Sequence, residues 1–214
     1  MLRWFLENQV EVSDRKFRLF GCVCVRDVWE DLPHDALRRA IETCERFADG
    51  RATEEELRVA RDAADARLRE RVGDIITAHS SIAITELCGL IPTFPLGTGS
   101  SSGIPAVAAE ARCDEVTPWD VAWERANQLY CRYFRDIFGN PFRPVAFNPA
   151  WRTDTAVSLA RGMYDSREFG AMPILADALQ DAGCEDEQIL THCRYANQPH
   201  VRGCWVCDFV LGKE

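Results

Sequence analysis

The chain has 214 residues, 47% hydrophobic and 28% charged, and its 25 Lys+Arg against 34 Asp+Glu leave a net charge of −9. A chain of this length buries roughly 70% of the surface its unfolded form exposes, so neither disulfides nor metal are needed merely to fold it. The acidic balance disfavours a broad interface with nucleic acid or anionic lipid. No run reaches the roughly 18 apolar residues of a membrane span, since the most apolar stretch, 81–96, holds Glu86, Pro92 and Pro95.

The opening MLRWFLENQVEVSDRK has only Arg3 before its first apolar residues and soon meets Glu7, which is neither a signal-peptide core nor a transit peptide. A cytoplasmic protein with reduced thiols is therefore expected, because ten cysteines are too sparse here for a secreted disulfide scaffold. Ser13 and Asp14 precede FRLFGCVCVRDVWEDL, where Phe17, Phe20, Val28 and Trp29 recur at helical steps until Pro33; a helix is predicted there. HDALRRAIETCERFADG places Leu37, Ile41, Cys44 and Phe47 on one stripe and ends at Gly50, a residue suited to a left-handed helix end. Thr53 and Glu56 form a capping box, so a third helix starts near Glu54, with Leu57, Ala60, Ala64, Leu68 and Val72 as its seam and a continuation past Gly73 toward Cys88.

Between Ile91 and Pro105 lie three prolines, three glycines and Ser100, Ser101 and Ser102, the composition of a loop or linker. Thr117 and Pro118 open WDVAWERANQLYCRYFRDIF, with Trp119, Trp123, Leu129 or Tyr130, Phe134 and Ile137 expected inward and Gly139 at the end. NPFRPVAFNPAW, with Pro141, Pro144 and Pro149, is extended or turned. Short helices are expected from Thr153 or Asp154 to Tyr164, from Met172 to Ala182 and from Asp186 to Arg194, before a last apolar helix or strand in HVRGCWVCDFVLGK. The fold class is all-α, a compact bundle of antiparallel helix pairs. Its expected organisation is a helical region 1–90, a loop 91–116 and a helical module 117–214.

The phrases SDRKFRLFGCVCVRDVW, ERFADGRATEEELRVAR and RDIFGNPFRPV…LARGMYDSREFGAMPILADALQDAGC…ILTHCR…HVRGCWVCDFVLGK resemble an uncharacterised family that recurs in many copies in planctomycete bacteria. The resemblance covers Ser13 to about Arg61 and Arg135 to Lys213, implies a shared module and carries no activity with it. Members of that family often have adjacent cysteines where this chain has Cys22 and Cys24, and an aliphatic residue in place of Cys207.

The C-terminal segment gathers Cys184, His192, Cys193, His200, Cys204 and Cys207. Tetrahedral zinc takes four such donors, and Cys184, His192, His200 and Cys204 are the candidate ligands; no cofactor is expected, with zinc the possible exception. The competing reading makes the thiols small buried hydrophobes. Cys204 and Cys207 also have the C-x-x-C spacing of a redox pair, but no βαβ unit surrounds them. Gly97 to Gly103 lacks the lysine of a phosphate loop. Arg132, Arg135, Arg143 and Arg152 fall around Tyr133, Phe142 and Trp151, a pattern suited to stacking on bases, clamping an acidic peptide, or covering an aromatic core edge. The acids Asp177, Asp181, Glu185, Asp186 and Glu187 read as a solvated face. Three functions are thus open. The first is a non-enzymatic protein-interaction module binding a protein partner through Trp119, Trp123, Arg143 and Trp151, with no catalytic residues; the second is a zinc-stabilised regulatory domain. The third is a hydrolase-like enzyme with a site near His79 and the Gly/Ser loop.

Overall fold

A computed structural model describes residues 13–30, 32, 34–70, 108–109, 112–114, 116–195 and 197–213. These residues contain eight α-helices and no strands: α1 (Asp14–Arg26), α2 (Asp35–Ala48), α3 (Glu54–Glu70), α4 (Trp119–Phe138), α5 (Asp154–Ser166), α6 (Met172–Asp181), α7 (Glu187–Arg194) and α8 (Trp205–Leu211). The all-α bundle expected from the periodicity is what forms. No helix among them is long and apolar enough to cross a membrane.

The local signals act largely as expected. The Ser13 hydroxyl accepts from the backbone N–H of Lys16 and starts α1. Thr53 and Glu56 exchange bonds at 2.8 and 3.2 Å at the head of α3. At the end of α2, Gly50 has φ +68°; its N–H bonds the Phe47 carbonyl at 3.0 Å and Arg51 N–H reaches back to the Arg46 carbonyl at 2.7 Å, which closes two otherwise open carbonyl ends. Two boundaries differ from expectation. α1 stops at Arg26, not Pro33, because Val28 and Trp29 bond to carbonyls three residues back while Arg38 takes the Trp29 carbonyl, turning the chain into α2. α4 starts at Trp119 with Pro118 as its cap residue and no side-chain cap; Thr117 lies one residue outside, in a turn where Asp114 accepts the N–H groups of Val116 and Thr117. The expected continuation past Gly73, the 91–105 loop and His79 lie outside the described residues.

Buried side chains fall into two clusters. Phe20, Val25, Leu37, Ile41, Cys44, Leu57, Tyr130, Phe134 and Ile137 bring α1 to α4 into one. Met163, Met172, Leu175, Leu179, Ile189, Cys193 and Val206 bring α5 to α8 into the other. Helix α4, grouped in the sequence with the C-terminal module, thus contributes its apolar face to the first cluster. Trp119 departs from its expected inward position: it is 40% exposed and stacks on Trp123 at 5.1 Å.

Polar groups join the two halves. Arg15 on α1 grips Asp208 on α8 with bonds of 2.7 and 2.9 Å and also donates to the Tyr164 hydroxyl. That hydroxyl donates to Asp49, whose buried carboxylate also takes Arg202 at 2.6 Å and Lys213 at 2.7 Å. Burial alone would raise the Asp49 carboxyl, but Lys213, Arg202 and Tyr164 outweigh it and hold it near about 2. Glu45 is gripped in the same way by Arg26 at 2.6 and 2.9 Å and by Arg167. Such pairs favour one docking geometry because removing a partner strands a buried charge.

Candidate metal centre

Three separate pieces of chain converge where α4, α7 and the loop before α8 meet. Asp136 lies in the last turn of α4, His192 near the end of α7, His200 in the connecting loop, and Cys204 at the cap of α8. The loop is pinned by Gly203, whose φ is +95° and whose missing Cβ would fall 3.0 Å from a Leu19 methyl carbon. Only glycine permits both that conformation and that approach. At the other side, Gly139 faces the Trp205 ring closely, and Trp205 packs on the His192 imidazole with ring centres 4.9 Å apart.

One donor atom from each of Asp136, His192, His200 and Cys204 lies within 4.8 Å of the others. Asp136 Oδ1 is 2.8 Å from His200 Nδ1 and 3.2 Å from His192 Nε2. Cys204 Sγ is 3.3 Å from His192 Nε2 and 4.0 Å from His200 Nδ1. Donors about 2.0 to 2.3 Å from a tetrahedral ion stand roughly 3.3 to 3.8 Å from one another; the contacts here bracket that range, so the four donors could hold a metal ion once the close Asp136–His200 pair opens and the wider pairs draw in. The second carboxylate oxygen of Asp136 accepts the Val201 N–H at 2.8 Å, which orients the first.

Asp136 and Cys204 are fully buried, and the two imidazoles nearly so, at 12% and 7% exposure. Burial works against the Asp136 carboxylate, yet its two histidines hold it below the usual carboxylate range. Burial would likewise lower both imidazoles. Cys204 and Asp136 outweigh it for His192, which rises to about 9, and Asp136 with Cys204 does the same for His200, which rises to about 10. Burial also pushes the Cys204 thiol well above its ordinary value, the opposite of what a nucleophilic or redox thiol requires. Two neutral imidazoles, a carboxylate and a thiolate would together balance a divalent cation, and their mixed nitrogen, sulfur and oxygen character suits zinc, not calcium or magnesium.

The residues singled out in the sequence distribute unevenly. His192, His200 and Cys204 come together. Cys184 is not part of the group; it is buried in the second apolar cluster beside the Asp186 backbone, and Asp136 stands as the fourth donor. Cys207, the other half of the C-x-x-C pair, turns to the Met172 sulfur at 3.7 Å inside the same cluster. Nothing in the sequence singled out Asp136, 56 positions before His192, because no local spacing links them. The one available signal is an acid flanked by the core residues Phe134 and Ile137.

Trp119, Trp123, Arg143 and Trp151 do not form one patch. The tryptophan pair sits in the first turns of α4, with Trp119 about 28 Å and Trp123 about 22 Å along the helix axis from its last residue, and Arg143 follows beyond that end. Trp151 meets Phe147 edge-on at 5.4 Å at the margin of the second cluster.

Two hollows reach the centre. A groove of about 810 Å³ is lined in part by His192 and Trp205; a cavity of about 170 Å³, lined by Arg26, Glu45, Arg167 and Arg202 among others, includes His200. No protein family model, curated protein or solved structure matches this chain.

Proposed function

We propose that the chain is a zinc-stabilised helical module that works by binding a protein partner. The observation that carries this reading is the convergence of Asp136, His192, His200 and Cys204 within 4.8 Å, from residues spread over 69 positions. Four protein donors close the coordination shell, the arrangement of a structural site, whereas catalytic zinc keeps a position for water or substrate. A structural ion there would staple α7 and the 197–204 loop to the end of α4, adding binding free energy to folding free energy. All four donors also fall inside the C-terminal phrases that resemble the planctomycete family, so we assign the centre to that shared module.

Cobalt substitution tests the donor set. With cobalt(II) added to metal-free protein, the strong visible bands of a tetrahedral site and one thiolate charge-transfer band are expected. The latter should be absent in Cys204→Ser and retained in Cys207→Ser. Weak octahedral bands, or a charge-transfer band that survives Cys204→Ser, would contradict the proposal.

A further inference from the structure

The groove that reaches His192 is bordered by three cations. Lys16 comes from α1, Arg135 from the end of α4 and Arg143 from the loop that follows. None of the three side chains has a hydrogen bond or ion pair among the described residues. Their neighbours differ: Arg132 donates to the Asn197 carbonyl and Arg152 to the Phe209 carbonyl. The four-arginine pattern visible in the sequence thus divides into two that brace the fold and two that face the groove. Lys16 is partly buried, and that burial lowers its pKa despite Asp208 nearby.

The walls between these cations are apolar, with Phe138, Phe142, Trp205 and Phe209. Phe142 and Tyr195 are 59% and 56% exposed at the rim. Only one carboxylate, Glu187, lines the groove among the described residues. In a chain with net charge −9, three such cations around an aromatic trough mark an anionic occupant with an apolar part.

We propose that this groove binds an acidic peptide segment carrying a bulky apolar anchor. The anchor enters between Phe138, Phe142 and Trp205 while flanking carboxylates meet Arg135, Arg143 and Lys16. The volume is at the upper end of the roughly 300 to 1,000 Å³ of a ligand cleft, and it is bordered by four chain segments, which suits a run of several residues. A nucleic-acid strand fits less well. It carries charge at every step, whereas the groove offers three separated cations with apolar walls between them and Glu187 in its lining. A peptide can confine its charge to the basic side. This inference rests on the binding-module reading but not on the metal.

The test is selection of a random twelve-residue peptide library on the full chain, followed by fluorescence anisotropy with the enriched peptides. Acidic peptides with a central aromatic or aliphatic residue are expected. Their affinity should fall at least tenfold in the double variant Arg135→Glu, Arg143→Glu, weaken steeply with salt, and stay unchanged in Arg161→Glu on α5. Thermal melts and metal content of each variant separate loss of fold or of zinc from loss of the groove, and single charge-neutral variants, Arg135→Gln and Arg143→Gln, serve if the double variant does not fold. Enrichment of neutral or basic peptides, no enrichment, or affinity indifferent to these arginines overturns the proposal. So does tighter, arginine-dependent binding of a twelve-nucleotide oligo(dT), which would make the groove a nucleic-acid site. A zinc-free protein that still binds acidic peptides would sink the metal reading alone.

Discussion

His200 Nδ1 lies 2.8 Å from Asp136 Oδ1, and the next residue in the chain, Val201, bonds the other oxygen of the same carboxylate. One buried side chain thereby fixes both the ring and the backbone of the loop that leads into α8. Asp136→Ala should therefore cost about 3–5 kcal/mol, the usual penalty for stranding buried charged partners. Asp136→Asn should cost less, because it keeps an acceptor for Val201. Urea unfolding of both variants checks the order.

Acid should act through Asp49. Its folded-state pKa lies below the ordinary 3.8, at about 2, so the folded protein binds fewer protons than the unfolded chain in that interval. The resulting stability is complete above about pH 4 and is lost as pH falls through 2. The shift corresponds to about 2 kcal/mol. Unfolding free energies measured between pH 5 and 2 should show this loss, and Asp49→Asn should flatten that part of the curve.

Arg15 holds Asp208 with two bonds and reaches Tyr164 with a third contact. Arg15→Ala leaves the Asp208 carboxylate buried beside α8 without its main partner, with an expected loss of about 3–5 kcal/mol. Arg15→Lys should recover only part of this, since an ammonium cannot reproduce the planar fork. Chemical denaturation of the pair gives the comparison.

Two glycines predict opposite signs. Gly203→Ala forces a Cβ against Leu19 at positive φ and should destabilise by about 2 kcal/mol or more. Gly162, inside α5, has open space where an alanine methyl would stand, with nothing within 4 Å, so Gly162→Ala should stabilise by about 0.5–1 kcal/mol. Thermal melts of the two variants decide both.

Much of the architecture was legible because it is written in short-range patterns. The 3.6-residue apolar spacing, the Thr53–Glu56 box and the glycine after α2 act within one or two turns of helix. The division of α4 from the helices that follow it was not legible, because which cluster receives Tyr130, Phe134 and Ile137 is settled by tertiary packing. The same limit governed the metal centre. His192, His200 and Cys204 stand close enough in the chain to suggest one another, and Cys184 completes them only by proximity in sequence. The fourth donor, Asp136, arrives only when α4 folds back against the C-terminal loop. Arg135 and Arg143 were visible as part of a basic aromatic pattern, but only the hydrogen bonds of Arg132 and Arg152 distinguish bracing arginines from those facing the groove.

The most direct measurement is the metal content of the purified full chain, by plasma mass spectrometry, for the wild type, Cys204→Ser and Cys207→Ser. One zinc per chain is expected in the wild type and in Cys207→Ser, with substoichiometric zinc in Cys204→Ser and a lower melting temperature when chelator is added. A wild-type protein that takes up no stoichiometric metal from zinc-supplemented medium, and whose melting is indifferent to zinc and chelator, would contradict the account.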